Sequence, residues 1–408
     1  MDRRSRFAVA SLTVLVAIAP FDLAVPEEGV TDLAIRPLMS VAYLLAFLSL
    51  ALCPPSRRAV VGAGAGLGLL WLVTLLSEAP VASAAASVRV TLAVVVLVAA
   101  TSAFTDLSSI ATVRVGLSLT IAVSSVIGLA ALIVGGDLAI TTYFLGEPSV
   151  SNGVDRLTRP FSHANVAAMF LGPSIALLAA GTAQAPSMSR GMSLVRLFAV
   201  GVGTLALSLT LSLGGLIATI IGLIAAAWWS RSAERTLDRI LPLLCAAYLS
   251  ASRAVYPQWV QRVEVTSGRE DVALRPMSRP EIWEQAWAAF RSDPFLGVGP
   301  GLFGRFSNFN TQEGLAAAPH AHNLLLEALA TGGLLLGLPL FALGAWLVVS
   351  VWRVASVEAG IGAALIVLAA HSVVDYGLVF TSTGIIFGLI GGAAIALGRV
   401  PLKDAELV

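Results

Sequence analysis

Apolar runs about as long as a bilayer is thick recur along nearly the whole chain, separated by short polar links, and only one polar interruption is long. Crossing hydrocarbon takes roughly 20 mostly apolar residues in a helix. On that measure the pattern predicts about twelve helices, within 7–25, 37–52, 59–77, 88–105, 113–134, 162–181, 194–211, 214–230, 237–252, 334–353, 359–374 and 381–398. The run from Leu194 to Ser230 is too long for one crossing. Gly214-Gly215 is where it is expected to divide, into two helices or a re-entrant pair. The expected fold class is all-α, a polytopic membrane helical bundle of about 12 transmembrane helices with one long extracytoplasmic loop. Residues 1–252 carry helices one to nine, 253–333 form the inserted loop with interfacial helices, and 334–408 carry the last three helices and a short cytoplasmic tail.

Composition agrees: 57% of the 408 residues are hydrophobic and 12% charged, where a soluble domain carries about 25% charged residues. A net charge of +1 argues against a nucleic-acid partner. With the N-terminus in the cytoplasm, the inner segments hold Arg3, Arg4, Arg6, Arg57, Arg58, Arg114, Arg190, Arg196, Arg231, Arg235, Arg239, Arg353, Arg399 and Lys403. Short outer segments keep only Arg36, Arg89, Arg156 and Arg159, as the positive-inside rule requires. The long loop is exempt, because long loops translocate regardless of charge. The basic N-terminus followed by an apolar run is like a signal peptide, but Pro20 after Ala17-Ile18-Ala19 disfavours cleavage, so an uncleaved anchor is expected. Cys53 and Cys245 are packing residues rather than a disulfide framework.

This topology puts all four histidines, His163, His320, His322 and His371, on the outer side. In Pro319-His320-Ala321-His322-Asn323, Asn323 can cap a following helix whose free N–H groups would seat an oxyanion. A histidine beside that seat can take a proton from a hydroxyl, or it can simply rest at the interface with its polar tip in water. The H-x-H pair has no cysteine or clustered carboxylate near it in sequence, so no metal and no cofactor are expected.

Arg279 opens a helix on which Trp283, Trp287 and Phe290 share one face, lying either in the headgroup layer or against the bundle. Its guanidinium suits bidentate phosphate binding. The stretch Pro294–Phe303 is glycine-dense, but with no preceding strand and no following GK[ST] it is a packing turn rather than a nucleotide loop. Arg159, His163 and Asn165 make a second anion-friendly corner at the start of helix six. His371 and Asp375 stand four apart, where they can pair across a turn.

Taken together these pieces resemble the O-antigen ligase and O-antigen polymerase superfamily of bacterial membrane glycosyltransferases. The resemblance rests on Arg279 and Trp283, the turn Pro294, Gly297, Gly299, Gly301 and Phe303, the helix start His320, His322 and Asn323, and Gly332, Gly333 and Gly337 before an apolar span. The segment Arg159–Asn165 and the pair His371 and Asp375 extend it.

The resemblance implies a glycan donor on an undecaprenyl-diphosphate carrier, a glycan or glycolipid acceptor, and transfer at the outer face of the bacterial cytoplasmic (inner) membrane, with no metal or nucleotide sugar. His322 would then assist the attacking hydroxyl, with His320, Asn323, His163, Asn165, His371 and Asp375 in support, while Arg279 and Arg159 hold the diphosphate. One departure stands out. Many members carry an arginine after T-x-S, whereas here Thr210-Leu211-Ser212 runs into Leu213-Gly214. Arg253, Arg262 or Arg156 would have to replace that ligand. Ligase and polymerase share these features; a transporter or a non-catalytic export scaffold is the reading from outside the enzyme class. Transporters place polar groups near the midplane, whereas the ionisable residues here crowd the outer ends.

Overall fold

The computed structural model describes residues 1–21, 37–134, 149–151, 154–180, 190–229, 279–307, 320–377 and 380–398. In order they form α1 (Arg3–Ile18), α2 (Pro37–Leu52), α3 (Arg57–Leu76), α4 (Pro80–Ala103), α5 (Leu107–Ile133), β1 (Ser149–Ser151), β2 (Val154–Arg156), α6 (Ala164–Ala179), α7 (Arg190–Leu209), α8 (Leu213–Trp229), α9 (Arg279–Ser292), α10 (Phe303–Phe306), α11 (Leu324–Val357), α12 (Ala359–Ser372) and α13 (Thr381–Leu397). Eleven of the twelve expected helices have a helix in their place. The twelfth, 237–252, lies outside the described residues, as do Arg253 and Arg262. The strands pair antiparallel, Ser149 opposite Arg156, the one addition to an otherwise helical fold among the described residues.

Among the described residues, five helices are long and apolar enough to cross a bilayer: Arg57–Leu76, Pro80–Ala103, Leu107–Ile133, Gly191–Leu209 and Leu324–Val357. Five shorter apolar helices accompany them. This is a multi-pass membrane protein whose described residues are helical apart from that one strand pair. Helix α6 runs through its middle, buried at every position but Asn165, and packs on α7, α8 and α12. Along α13, Gly388 and Gly392 lie four apart, and a Cβ on either would strike carbonyls of α4 at Ala93 and Leu97. Small residues at that spacing let two helices touch backbone to backbone, the usual device where lipid supplies no hydrophobic drive. Outward faces are apolar too: Leu338, Phe341, Trp346 and Val349 of α11 are exposed, as hydrocarbon contact requires.

The long run Leu194–Ser230 does divide, but at Thr210–Ser212 and not at the glycine pair. The cause is tertiary. Leu157 N–H donates to Leu209 O at 2.9 Å and Arg156 Nε to Thr210 O at 2.8 Å, so the segment after β2 takes the carbonyls that end α7. Thr210 Oγ1 accepts from Ser212 N–H, and Leu211 is left-handed at φ 51°. Gly214 and Gly215 instead sit inside α8, where a Cβ would meet Val374, Ala168 and the ring of His371.

A second break lies at Gly333 (φ 55°, ψ −153°), which divides α11 into a short N-terminal piece and a long C-terminal one. Its polar backbone is satisfied by the glycine-dense turn: Val298 and Gly299 N–H donate to Ala330 and Thr331 O, and Leu334 and Leu335 N–H donate to Pro294 and Phe295 O. Gly297 (φ 64°) and Gly333 both need a left-handed backbone there, and a Cβ on either would collide with the other strand of this exchange. The packing role expected of the turn is what it performs. On α9 the fully buried face is Ile282, Ala286 and Ala289, while of the aromatic stripe Trp283 and Phe290 are half-buried and the Trp283 indole nitrogen is covered. Trp287 is 45% exposed and stacks on Phe290 at 5.1 Å between ring centroids.

Candidate functional site

Asn323 caps the N-terminal piece of α11 as its residue type predicts. Its Oδ1 accepts from Leu326 N–H at 2.9 Å, and its Nδ2 donates to Val373 O at 2.8 Å, tying the helix start to the end of α12. One turn on, the buried Glu327 reaches back to accept from Ala321 N–H at 2.6 Å. These bonds clamp the loop His320–His322 from both sides. His322 is held left-handed at φ 49°, a conformation a side-chain-bearing residue keeps only when its surroundings impose it. The two imidazole centroids lie 4.1 Å apart.

Both rings address Asp375, just beyond α12. His322 Nδ1 is 3.0 Å from Asp375 Oδ1, a hydrogen bond, while His320 Nε2 is 3.6 Å from the same oxygen, a charge contact only. Tyr376 N–H also donates to that oxygen at 2.8 Å. Burial alone would raise the carboxyl of Asp375. His320 first, then His371 and Arg279, outweigh this and hold it at about 2, so it is an anion at neutral pH.

The expected His371–Asp375 pair does not form. Helix α12 ends at Ser372, the carboxylate turns to the 320–322 loop, and His371, 1% exposed, packs its ring on Gly214 and Gly215. The hydrogen bond between the two residues is a backbone one, Asp375 N–H donating to His371 O, and their side chains act on each other through charge alone.

His163 and Asn165 close the opposite wall. His163 is the N-cap of α6, its Nδ1 accepting from Asn165 N–H at 3.1 Å, so its proton sits on Nε2. Burial, and then the charge of Arg156, lower it to about 4 and keep it neutral. At this corner the Arg156 guanidinium donates to Asn165 Oδ1 at 2.9 Å.

Between the walls lies a cavity of about 660 Å³, lined by His163, Asn165, His320, His322, Glu327, Asp375, Tyr376 and Phe380 together with Arg89 and Arg305. That volume is in the ~300–1,000 Å³ range of ligand sites. Arg279 and Arg159 do not line it, although the charge of Arg279 reaches Asp375 and His163. Sequence reasoning placed Arg89 at the outer boundary without giving it a role. It is the lone charged residue of α4, and an ionisable group inside an apolar span is by itself a signal of function. Arg305, on the four-residue α10, carried no such signal.

The arrangement pairs a carboxylate-oriented imidazole with two cations across a cavity large enough for a sugar and an anionic leaving group. Residues 198–342 match the family model described as O-antigen ligase, and this match supports the O-antigen ligase superfamily. The matched segment takes in the Thr210–Ser212 break, the glycine-dense turn, the two-histidine loop and Gly333. No curated protein matches the chain.

Proposed function

We propose that this membrane protein, carrying an O-antigen ligase domain over 198–342, is a glycosyltransferase that moves a glycan from an undecaprenyl-diphosphate carrier to an acceptor sugar hydroxyl at the outer face of the cytoplasmic membrane. The observation that carries this reading is the His322–Asp375 hydrogen bond on the wall of a cavity also lined by Arg89 and Arg305.

An ionised Asp375 accepts from His322 Nδ1–H and leaves the lone pair on Nε2. That nitrogen takes the proton of the acceptor hydroxyl as its oxygen bonds to the anomeric carbon. The bond from that carbon to the carrier's terminal phosphate oxygen breaks, and the diphosphate keeps the electron pair. Charge grows on the leaving group, so fixed guanidiniums stabilise it most in the transition state. Arg89 and Arg305, which line the cavity, take this role, and the charge of Arg279, felt at Asp375 and His163, adds to it. Arg156, bonded to Thr210 O, puts a cation at the T-x-S break, where many relatives carry their arginine. Arg159 has a lesser claim, lying off the cavity wall. The clustering of these groups at one end of the bundle, away from any midplane site, favours an enzyme over a transporter.

The test is a purified full chain given lipid-linked glycan and acceptor. Release of carrier diphosphate that His322→Ala abolishes supports the reading, and undiminished release in a well-folded His322→Ala protein removes it. Donor supplied alone separates the two acceptor classes, since a polymerase lengthens chains without a second glycan and a ligase does not.

A further inference from the structure

A general base needs one carboxylate to fix its tautomer, yet Asp375 faces two imidazoles. The second, His320, stands at 3.6 Å, beyond a hydrogen bond to the carboxylate. Its position is explained by coordination. We propose that His320 Nε2, His322 Nδ1 and Asp375 Oδ1 form a binding site for a divalent transition metal, best matched by Zn²⁺, whose occupation switches the proton-accepting tautomer of His322 off.

The three ligand atoms lie within 4.8 Å of one another. The two contacts to Asp375, 3.0 and 3.6 Å, bracket the edge of a tetrahedron built on zinc bonds of about 2.0–2.1 Å, which is about 3.4 Å. Two imidazole nitrogens and one carboxylate oxygen suit zinc; magnesium and calcium prefer all-oxygen sets. The ligands are also held before any ion arrives. Glu327 grips Ala321 N–H between the two histidines, Asn323, the residue after His322, donates from its own Nδ2 to Val373 O, and Tyr376 N–H steadies Asp375. All three ligands line the cavity, which leaves the fourth position open to water or an anionic oxygen. In sequence the pair lacked a third ligand. It comes from 53 residues further on.

Coordination has a definite consequence for the proton. Metal bound at Nδ1 takes the lone pair there and requires the neutral ring to carry its hydrogen on Nε2. Without metal, Nδ1 carries the hydrogen, donates it to Asp375 and leaves Nε2 free. The same nitrogen is therefore a hydrogen-bond donor in the competent state and a ligand in the blocked one. Binding of the ion stands on the geometry alone; the inhibition rests on the glycosyl-transfer reading.

Binding is measured first, on purified full chain in lipid nanodiscs, by calorimetric titration with ZnCl₂. One ion per chain is expected, with Mg²⁺ giving no heat. His320→Ala should weaken binding at least about tenfold, in protein that elutes as a single folded species. A Co²⁺ titration of the unaltered chain provides an independent arm, expected to give the visible bands of a four-coordinate site that Zn²⁺ then bleaches. Absence of Zn²⁺ binding, or binding untouched by His320→Ala, overturns the site. In the transfer assay, Zn²⁺ should inhibit with the midpoint found by calorimetry, and a chelator should restore activity. Stoichiometric binding without inhibition would keep the ion and overturn the tautomer block. If no transfer occurs at all, the titrations still decide the site by themselves.

Discussion

Two buried carboxylates stand at opposite ends of the bundle and are used in opposite ways. Glu358, in the joint between α11 and α12, accepts from Arg114 of α5 at 2.5 Å and from Gly360 N–H, so it is at once ion-pair partner and N-cap. A Cβ on Gly360 would strike the same guanidinium and a carbonyl of α6, so nothing can approach further. Asp375 shares its charge among two histidines and a backbone N–H, and opens on a cavity. The first arrangement is closed by its neighbours, with both groups buried and the carboxylate held by a guanidinium and a backbone N–H. At the other end spare coordination faces empty space, and chemistry needs that. Burial and charge alone do not distinguish the two; what lies on the far side of the carboxylate does.

The largest test of this contrast is on turnover. His322→Ala, and Asp375→Asn after it, should lower glycan transfer by about 10²–10⁴-fold while the thermal unfolding midpoint in micelles barely moves. Next comes the mirror experiment. Arg114→Ala leaves Glu358 buried and unpaired, which should cost about 3–5 kcal/mol of stability, read by denaturant unfolding, while transfer per folded molecule is unchanged. An Arg114→Ala protein as stable as its parent would mean that the closed end is not a lock.

A third test uses acid. The folded pKa of His163 lies near 4 against 6.5 for the free side chain, with Arg156, Asp375, His320 and Arg279 as the charges acting on it. Because the unfolded chain binds the proton first, stability is full above about pH 6.5 and declines as pH falls towards 4, by up to about 3 kcal/mol. His163→Gln should flatten that decline in unfolding curves recorded across the window. Smallest is Asn323→Ala, expected to cost about 1 kcal/mol through the lost cap and to lower turnover further by loosening the loop ahead of it.

The helices were legible because hydrophobic length is a local property, and so was the Asn323 cap, which depends on a residue and the turn after it. The glycine-dense turn was legible as a packing device. What escaped depended on distant segments. The division of 194–230 is set by Arg156 and Leu157, some 50 residues earlier in the chain, so the glycine pair misled: its glycines serve close contact with α12, not a break. Asp375 was legible as a polar residue at the outer end, but its choice of His322 over His371 depends on where α12 stops and where another loop is clamped. The arginines were the least legible. A guanidinium reaches several ångströms from its backbone, so order along the chain favoured Arg159 and Arg279, while Arg89 and Arg305 line the cavity.

The interruption at Gly333 has one more consequence. Every bond that fixes the imidazoles involves residues before it or after Ser372, while the C-terminal part of α11 presents mostly bare apolar side chains outward. The exposed stretch of that rod is a replaceable mast: a graft of foreign apolar sequence from residue 338 to 346, short of the core-packed Val351 and of Trp352 on Trp229, would leave the two-histidine loop where it stands.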